Sequence, residues 1–166
     1  MAQTYSFDVT TGVDLQEVDN AVNQAQKEVA QRYDFKGSTA AIEYKRAEEM
    51  LVLTAEDDFR MNALFDILQS KLIKRGVPVK NLDIGDTKEA SGGSSRKEIK
   101  LKTALDKETA KKVAQSIKDA KLKKVQASIQ EDQVRVTAPD KDELQTAIAV
   151  LRKGDFGVEL KFGNYR

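Results

Sequence analysis

One short stretch of the chain concentrates the side chains that are best suited to binding a phosphorylated ligand. Residues 118–124 carry four lysines, among them Lys118, Lys121 and Lys123, and Gln126 follows two residues later. Lysine ammonium groups bind phosphate oxygens, and a glutamine carboxamide can both donate to and accept from the edge of a base. We therefore predict that these lysines and Gln126 contact an anionic nucleotide.

A structural explanation competes with this prediction. The stretch runs from the end of a predicted helix into a predicted strand, and a cation near a helix C-terminus stabilises the helix by about 0.3–1 kcal/mol. Four lysines in seven residues exceed what a helix end needs, so both interpretations stay open at this point. Lys71, Lys74 and Arg75 close an earlier predicted helix, and we interpret those three residues as structural.

A second candidate site lies at the end of the first predicted helix, where residues 32–37 place two aromatic residues among basic ones. We predict that Phe35, together with Arg32 or Lys36, holds a base and its phosphate. Packing of Phe35 beneath the sheet is the competing interpretation. Tyr33 continues the helical stripe of apolar residues, and we predict that it belongs to the core.

The residue types that the chain lacks narrow its chemistry. It contains neither histidine nor cysteine, so it has no imidazole to shuttle protons near neutral pH, no thiol nucleophile and no His/Cys zinc site. Asp8, Asp34, Asp57 and Asp58 suit helix caps and turns better than a metal site. We predict no catalytic residue, metal or cofactor, and a magnesium-dependent phosphoryl-transfer or hydrolytic enzyme is the weakest hypothesis.

Charge is divided unevenly along the chain, although the formal net charge is only +1. Residues 1–90 contain 11 Lys/Arg and 16 Asp/Glu, whereas residues 91–166 contain 17 Lys/Arg and 11 Asp/Glu. An excess of positive charge in one half of a chain favours a polyanionic partner for that half.

The predicted secondary structure occurs twice along the sequence. The segment Leu51–Asp57 has a counterpart in Val134–Asp140, 83 residues later, and both segments read as a strand and a turn that lead into an amphipathic helix. The order in each copy is βαββαβ, and self-similarity at a fixed offset indicates a repeated unit. We predict an α+β fold of two ferredoxin-like domains, each a four-stranded antiparallel sheet with two helices on one face.

We predict that the domains comprise residues 1–90 and 91–166, with the Gly/Ser-rich part of residues 87–95 as a flexible loop or linker. The helices would leave one face of each sheet open. On that face of the second domain we predict that Gln130 reads a base and Arg135 binds a phosphate. Strand alternation gives this face the following members: Lys100, Lys102, Gln126, Ser128, Gln130, Arg135, Thr137, Glu159 and Lys161.

Several blocks of the sequence resemble the YajQ family of bacterial proteins, and the resemblance extends over essentially the whole chain. The blocks include Ser6-Phe7-Asp8, residues 32–37, residues 117–123, residues 134–137 and the C-terminal Phe162-Gly163-Asn164-Tyr165-Arg166. The resemblance implies two ferredoxin-like domains with their opening strands, residues 4–10 and 97–103, exchanged. The open face of the second domain would then lose Lys100 and Lys102 and gain Ser6 and Asp8.

The resemblance also implies nucleotide binding, since members of this family are described as binding GTP and tRNA and one relative as a cyclic di-GMP receptor that regulates transcription. Our first hypothesis is a non-catalytic protein that binds a nucleotide or RNA through phosphate contacts from its basic second domain. The alternative is a protein–protein adaptor, for instance a transcription-complex partner, with a nucleotide as modulator. No apolar run approaches the roughly 20 residues that span a bilayer, so we expect a cytoplasmic protein with no membrane partner.

Overall fold

The computed structural model describes residues 4–166. Within this range the regular structure consists of α-helices, β-strands and short 3-10 turns. The helices are α1 (Leu15–Gln31), α2 (Asp58–Lys74), α3 (Lys107–Asp119) and α4 (Lys141–Lys153). The strands are β1 (Tyr5–Thr10), β2 (Ala41–Lys45), β3 (Met50–Ala55), β4 (Leu82–Ile84), β5 (Lys88–Glu89), β6 (Ser95–Leu101), β7 (Gln126–Gln130), β8 (Gln133–Ala138) and β9 (Lys161–Gly163).

The strands form two antiparallel sheets, and the membership of each sheet does not follow the order of the chain. One sheet has the strand order β7-β8-β1-β9, and the other has the order β2-β3-β6-β4, with β5 also pairing with β6. The opening strand of each βαββαβ repeat thus lies in the sheet of the other repeat. The predicted fold class, two ferredoxin-like domains with exchanged first strands, is confirmed.

The exchange makes one of the two compact units discontinuous in sequence. A central unit comprises Val13–Lys102, and a terminal unit comprises the residues up to Gly12 together with Thr103–Arg166. A contiguous boundary at residue 90 does not describe these units, because β1 pairs within the terminal unit and β6 pairs within the central unit.

The Gly/Ser-rich stretch, predicted to be a flexible loop or linker, is a hairpin turn within the central unit and does not link the two units. The backbone N–H of Ala90 donates to the carbonyl oxygen of Ser94 at 2.7 Å, and β5 and β6 on either side pair with each other. Gly92 and Gly93 both take positive φ angles, which glycine adopts without the steric cost of a Cβ. The glycines therefore serve a tight turn.

Each α-helix begins after an aspartate whose carboxylate accepts a hydrogen bond from a backbone N–H of the first turn. The four caps are Asp14, Asp57, Asp106 and Asp140. A cap of this kind stabilises a helix by about 1 kcal/mol. The sequence leaves Asp57 and Asp58 as candidates for the cap of α2, and the structure has Asp57 in that position.

Each sheet packs one face against its own two helices, and the exchanged strands lie at the centre of that packing. In the terminal unit Phe7 and Val9 of β1 are fully buried, and Phe7 pairs with Val136 of β8. In the central unit Ile99 of β6 is fully buried and pairs with Leu51 of β3. Each core therefore includes apolar side chains from the opening strand of the other repeat.

Asp8 alternates with Phe7 and Val9 and so points to the open face of the terminal sheet, yet only 4% of it is exposed. Nε of Arg135 on β8 donates to Oδ1 of Asp8 at 2.9 Å, and Nδ2 of Asn164 donates to Oδ2 at 2.6 Å. Asn164 follows β9 directly and has a left-handed backbone with φ of 53°. These side chains join β8, β1 and the C-terminal segment across the open face.

Substituting one buried residue in each exchanged strand tests the topology. We expect Phe7→Ala and Ile99→Ala each to reduce the free energy of unfolding by about 2–5 kcal/mol, because both leave a cavity in a core. Hydrogen exchange should accelerate first in α3, α4 and β8 for Phe7→Ala, and first in α1, α2 and β3 for Ile99→Ala. The reverse assignment would contradict the strand exchange.

Asp8 also makes stability depend on pH with a defined sign. The hydrogen bond from Arg135 lowers the pKa of Asp8 in the folded protein, so the unfolded chain takes up this proton at a higher pH than the folded chain does. The contribution of Asp8 is complete at neutral pH and is lost as the pH falls below about 4 and through the lower folded value. Urea unfolding should therefore show that wild type exceeds Asp8→Asn in stability at pH 7 and that the difference shrinks by pH 3. A constant difference would show that Asp8 is not ionised in the fold.

Candidate functional site

A groove runs along the terminal unit between helix α3 and the edge strand β7. Its volume is about 920 Å³, which lies in the range of pockets that hold small molecules. Four lysines, two glutamines and six apolar residues line it. The lining residues are Lys111, Ala114, Gln115, Ile117, Lys118, Lys121, Leu122, Lys123, Val125, Gln126, Ala127 and Ile129.

Helical spacing places part of the basic rim of this groove. Lys111, Gln115 and Lys118 of α3 are separated by four and three residues, which puts them on one face of the helix. Ala110, Val113 and Ile117 form the stripe by which α3 packs into the core. Burying that stripe leaves the lysine-bearing flank of the helix beside β7.

The turn after α3 places the other two lysines. Helix α3 is capped by Ala120, and Lys121 then takes a left-handed conformation with φ of 56°. The N–H of Lys121 donates to the carbonyl oxygen of Lys118 at 3.1 Å, and the N–H of Val125 donates to that of Leu122 at 3.1 Å. Two successive tight turns thus fold the chain back from α3 to β7 with Lys121 and Lys123 at the groove.

Among residues 4–166, the polar side chains that line the groove carry amides and ammonium groups, and none of them carries a carboxylate. Gln115 donates from Nε2 to Oδ1 of Asp119 at 2.7 Å, which leaves its own carbonyl oxygen available as an acceptor. Gln126 is exposed, and its carboxamide can donate and accept. Ile117 and Val125 are buried and supply part of an apolar floor.

The structure brings four of the eight predicted site residues together. Lys118, Lys121, Lys123 and Gln126 all line the groove. Gln130 lies at the far end of β7, outside the lining, where its Oε1 accepts from Gln133 at 3.5 Å.

Arg135 lies on the open face of the terminal sheet, where its guanidinium bonds to the buried Asp8. This interaction raises the pKa of Arg135 and gives the side chain a structural role. The predicted contact of Arg135 with a phosphate stays a prediction, and it would have to use the guanidinium N–H groups that do not bond to Asp8.

The remaining two predicted residues, Arg32 and Phe35, lie in the central unit. Only 5% of Phe35 is exposed and its ring packs into the core, so the ring cannot stack on a base as we predicted. Arg32 donates two hydrogen bonds to Asp34 at 2.9 and 2.7 Å, which raise the pKa of Arg32 and lower that of Asp34. Tyr33 is 88% exposed, so the prediction that it is a core residue is wrong. The chain leaves α1 at Arg32 and enters a 3-10 turn, which ends the helical stripe before Tyr33.

Sequence reasoning missed Lys111, Gln115 and Ile129 as residues of the groove. The spacing of Lys111 and Gln115 relative to Lys118 is a helical signal that identifies them once Lys118 is chosen. Ile129 gives no such signal, because its alternation with polar neighbours predicts a buried side chain, whereas it is 45% exposed. Ile129 is exposed because β7 is an edge strand. The alternation of polar and apolar residues does not reveal whether a strand lies at the edge of a sheet.

Two further observations concern the described part of the chain, residues 4–166. No group of three carboxylates in that range is placed to hold a metal ion. None of its helices combines the length and the apolar character that crossing a bilayer requires.

Comparison with known proteins assigns the chain to a family. The sequence profile of the family described as nucleotide-binding protein YajQ-like matches residues 5–166. A nucleotide-binding protein of Geotalea uraniireducens is 52% identical over 161 residues, which cover 97% of this chain and 98% of the relative. Nucleotide-binding proteins of Chloroherpeton thalassium and Desulfitobacterium hafniense are each 48% identical over 166 residues, the full length of both chains in each comparison. The chain therefore belongs to the YajQ-like family of nucleotide-binding proteins.

Proposed function

We propose that this protein binds an anionic nucleotide in the groove between α3 and β7 and does so without chemical turnover. The observation that carries the proposal is the composition of the groove. Four lysines, two glutamines and an apolar floor meet in one cleft that no carboxylate lines. The names of the relatives, which describe nucleotide-binding proteins, support the same class of ligand.

The lysines provide the phosphate-binding part of the proposed site. Lys118, Lys121 and Lys123 come from the end of α3 and the turns after it, and Lys111 comes from an earlier turn of the same helix. Several ammonium groups around one cleft raise the local concentration of an anion and bind its oxygens. The C-terminus of α3 carries partial negative charge, so the lysines rather than the helix dipole must attract the phosphates.

The glutamines and the apolar floor provide the base-binding part. A purine ring packed over Ile117 and Val125 would remove apolar surface from water, at about 25 cal/mol per Å². The carboxamides of Gln115 and Gln126 offer both donors and acceptors within the same groove, and a guanine edge presents both donors and acceptors in return. No aromatic side chain lines the groove, so stacking between aromatic rings is not part of this proposal.

The groups at the groove are the reason for proposing binding without turnover. Its lining offers no carboxylate, and the sequence contains no histidine and no cysteine. The lining therefore contains neither a carboxylate nor an imidazole to act as a general base near neutral pH. Magnesium-dependent phosphoryl transfer also draws on carboxylates that hold the metal. The proposed role is recognition of a nucleotide, in a cytoplasmic protein.

GTP and cyclic di-GMP are the ligands that we place first, because a groove of about 920 Å³ suits a small molecule. RNA, including tRNA, is the second candidate, and its phosphates would extend beyond the groove. The dependence of affinity on salt separates the two, since each phosphate contact to a polymer adds close to one unit to the slope of log K against log salt. A mononucleotide or cyclic dinucleotide should give a much shallower slope and one site per chain.

The backbone conformation of Lys121 allows a substitution that separates binding from folding. A left-handed conformation costs a residue with a Cβ about 1–2 kcal/mol, and glycine is the usual residue at the end of a helix in this conformation. A lysine at φ of 56° therefore sacrifices stability at a position that lines the groove. Glu49, Glu131 and Asn164 also take left-handed conformations and do not line the groove, so the conformation alone does not indicate function.

Lys121→Gly separates binding from folding. We expect the free energy of unfolding to stay the same or to rise by up to about 1 kcal/mol, because glycine relieves the left-handed strain. Titration calorimetry should show GTP or cyclic di-GMP bound about three- to tenfold more weakly, because one charge-assisted phosphate contact is lost.

Lys124→Ala is the matched control for this substitution. Lys124 belongs to the same basic stretch but does not line the groove, so its loss removes one charge and should change affinity by less than twofold. Equal losses of affinity in the two variants would show that only the net charge of the region matters and that Lys121 makes no specific contact. The proposed function would be contradicted if calorimetry of the wild-type protein detected no binding of GTP, cyclic di-GMP or tRNA.

A further inference from the structure

Strand β7 presents an unpaired edge to the groove. It pairs with β8 on one side, and a two-residue turn at Glu131 and Asp132 makes Gln130–Gln133 the first pair of the hairpin. Alternate residues of an antiparallel pair exchange hydrogen bonds, beginning with the pair that flanks such a turn. The backbone N–H and C=O groups of Ala127 and Ile129 therefore point outward, and neither residue has a hydrogen-bond partner on that side within residues 4–166.

This edge lacks the features that normally block pairing with another chain. Proteins protect edge strands with charged residues, proline, bulges or a covering element. The strand sequence Gln-Ala-Ser-Ile-Gln contains no charge and no proline, and Ile129 is 45% exposed. An apolar side chain next to free backbone groups is a favourable template for an added strand.

The equivalent edge of the central unit is contacted by its own helix, which distinguishes it from the edge of β7. There Gln26 of α1 donates from Nε2 to the carbonyl oxygen of Ile42 on the edge strand β2 at 2.8 Å. Strand β2 also carries Glu43 and Lys45. The cavity between α1 and β2 is only about 310 Å³, against about 920 Å³ between α3 and β7.

The charge around β7 specifies the chemistry of a strand that would pair with it. The same groove that exposes Ala127 and Ile129 carries Lys111, Lys118 and Lys121 and has no acidic lining residue. Lysine side chains are long and flexible, so they can reach carboxylates along an extended segment. An acidic segment with apolar residues at alternate positions can form hydrogen bonds with the outward backbone groups of β7. Its apolar side chains can pack on the apolar floor, and its carboxylates can pair with the lysines.

We propose that β7 is the docking edge for an acidic, extended segment of a partner protein, which adds to the terminal sheet as a further strand. The main-chain hydrogen bonds of Ala127 and Ile129 would provide affinity, and the apolar floor and lysines would provide specificity. A nucleotide offers no peptide backbone to these outward N–H and C=O groups. The inference therefore goes beyond nucleotide binding and does not depend on it.

The test uses a synthetic peptide, Glu-Val-Glu-Val-Glu-Val-Glu, with blocked ends and the full-length protein. Its reference is the peptide Glu-Glu-Glu-Glu-Val-Val-Val, which has the same composition and charge but no alternation. We expect fluorescence anisotropy to show the alternating peptide bound at least tenfold more tightly. Hydrogen exchange at the amides of Ala127 and Ile129 should slow at least tenfold when it binds.

Substitutions at the edge complete the test. Ala127→Pro removes an outward N–H without removing a bond to β8, and proline is tolerated on edge strands in that orientation. It should weaken peptide binding at least fivefold, and Ile129→Lys, which adds a protective charge to the edge, provides a second variant if the first does not fold. A Lys-Val-Lys-Val-Lys-Val-Lys peptide should not bind.

Several outcomes would overturn the inference. Equal affinity for the two glutamate peptides would show that the groove binds any polyanion. The same conclusion would follow if oligouridine slowed hydrogen exchange at the amides of Ala127 and Ile129 as much as the alternating peptide does. No binding of the alternating peptide, or unchanged exchange at both amides, would also reject it. Slowing of the same amides with rising protein concentration alone would assign the edge to a second copy of the chain.

Discussion

The buried carboxylate of Asp8 is the interaction on which the terminal unit depends. It lies on a strand that comes from the far end of the sequence, and it accepts hydrogen bonds from Arg135 on one neighbouring strand and from Asn164 just beyond the other. Burial of Phe7 and Val9 favours the placement of β1 in a core. Any strand with apolar side chains at alternate positions would gain in the same way, so burial alone does not determine which strand occupies this position. A buried carboxylate is costly unless it is paired, so the register that pairs Asp8 with Arg135 is selected over its neighbours. This selectivity places β1 between β8 and β9 and leaves β6 for the other sheet.

The difference between the two units follows from what happens at the outer strand of each sheet. Both sheets use the same order of elements, yet the central unit closes its edge with Gln26 whereas the terminal unit leaves β7 open beside a row of lysines. The duplicated scaffold thus has one edge closed by its own helix and one edge available for ligands. Fold alone does not decide function, and here the differences lie in a few side chains between a helix and an edge strand.

Periodicity, caps and the long-range repeat are local signals, and the features they govern could be predicted from the sequence. This class includes the four helices, the two hairpins after α1 and α3, and the capping role of Asp57. The basic cluster at Lys118, Lys121 and Lys123 was also visible as composition. Strand exchange is not local, because alternation in β1 and β6 fits either sheet equally well, and only the resemblance to a family indicated it. The pairing of Arg135 with Asp8 could not be predicted for the same reason, because the two residues lie far apart in sequence. The burial of Phe35 in the core of the central unit depends on a turn that ends helix α1 before it.

The central claim is that the groove between α3 and β7 is where a nucleotide binds, and mapping amide chemical shifts tests it most directly. Titrating uniformly ¹⁵N-labelled protein with GTP and, separately, with cyclic di-GMP should shift the backbone amides of residues 111–129 with a common dissociation constant. Amides of the open sheet face around Asp8 and those of residues 32–37 should stay in place. Shifts concentrated in the central unit, or no saturable shifts between residues 111 and 129, would contradict the account.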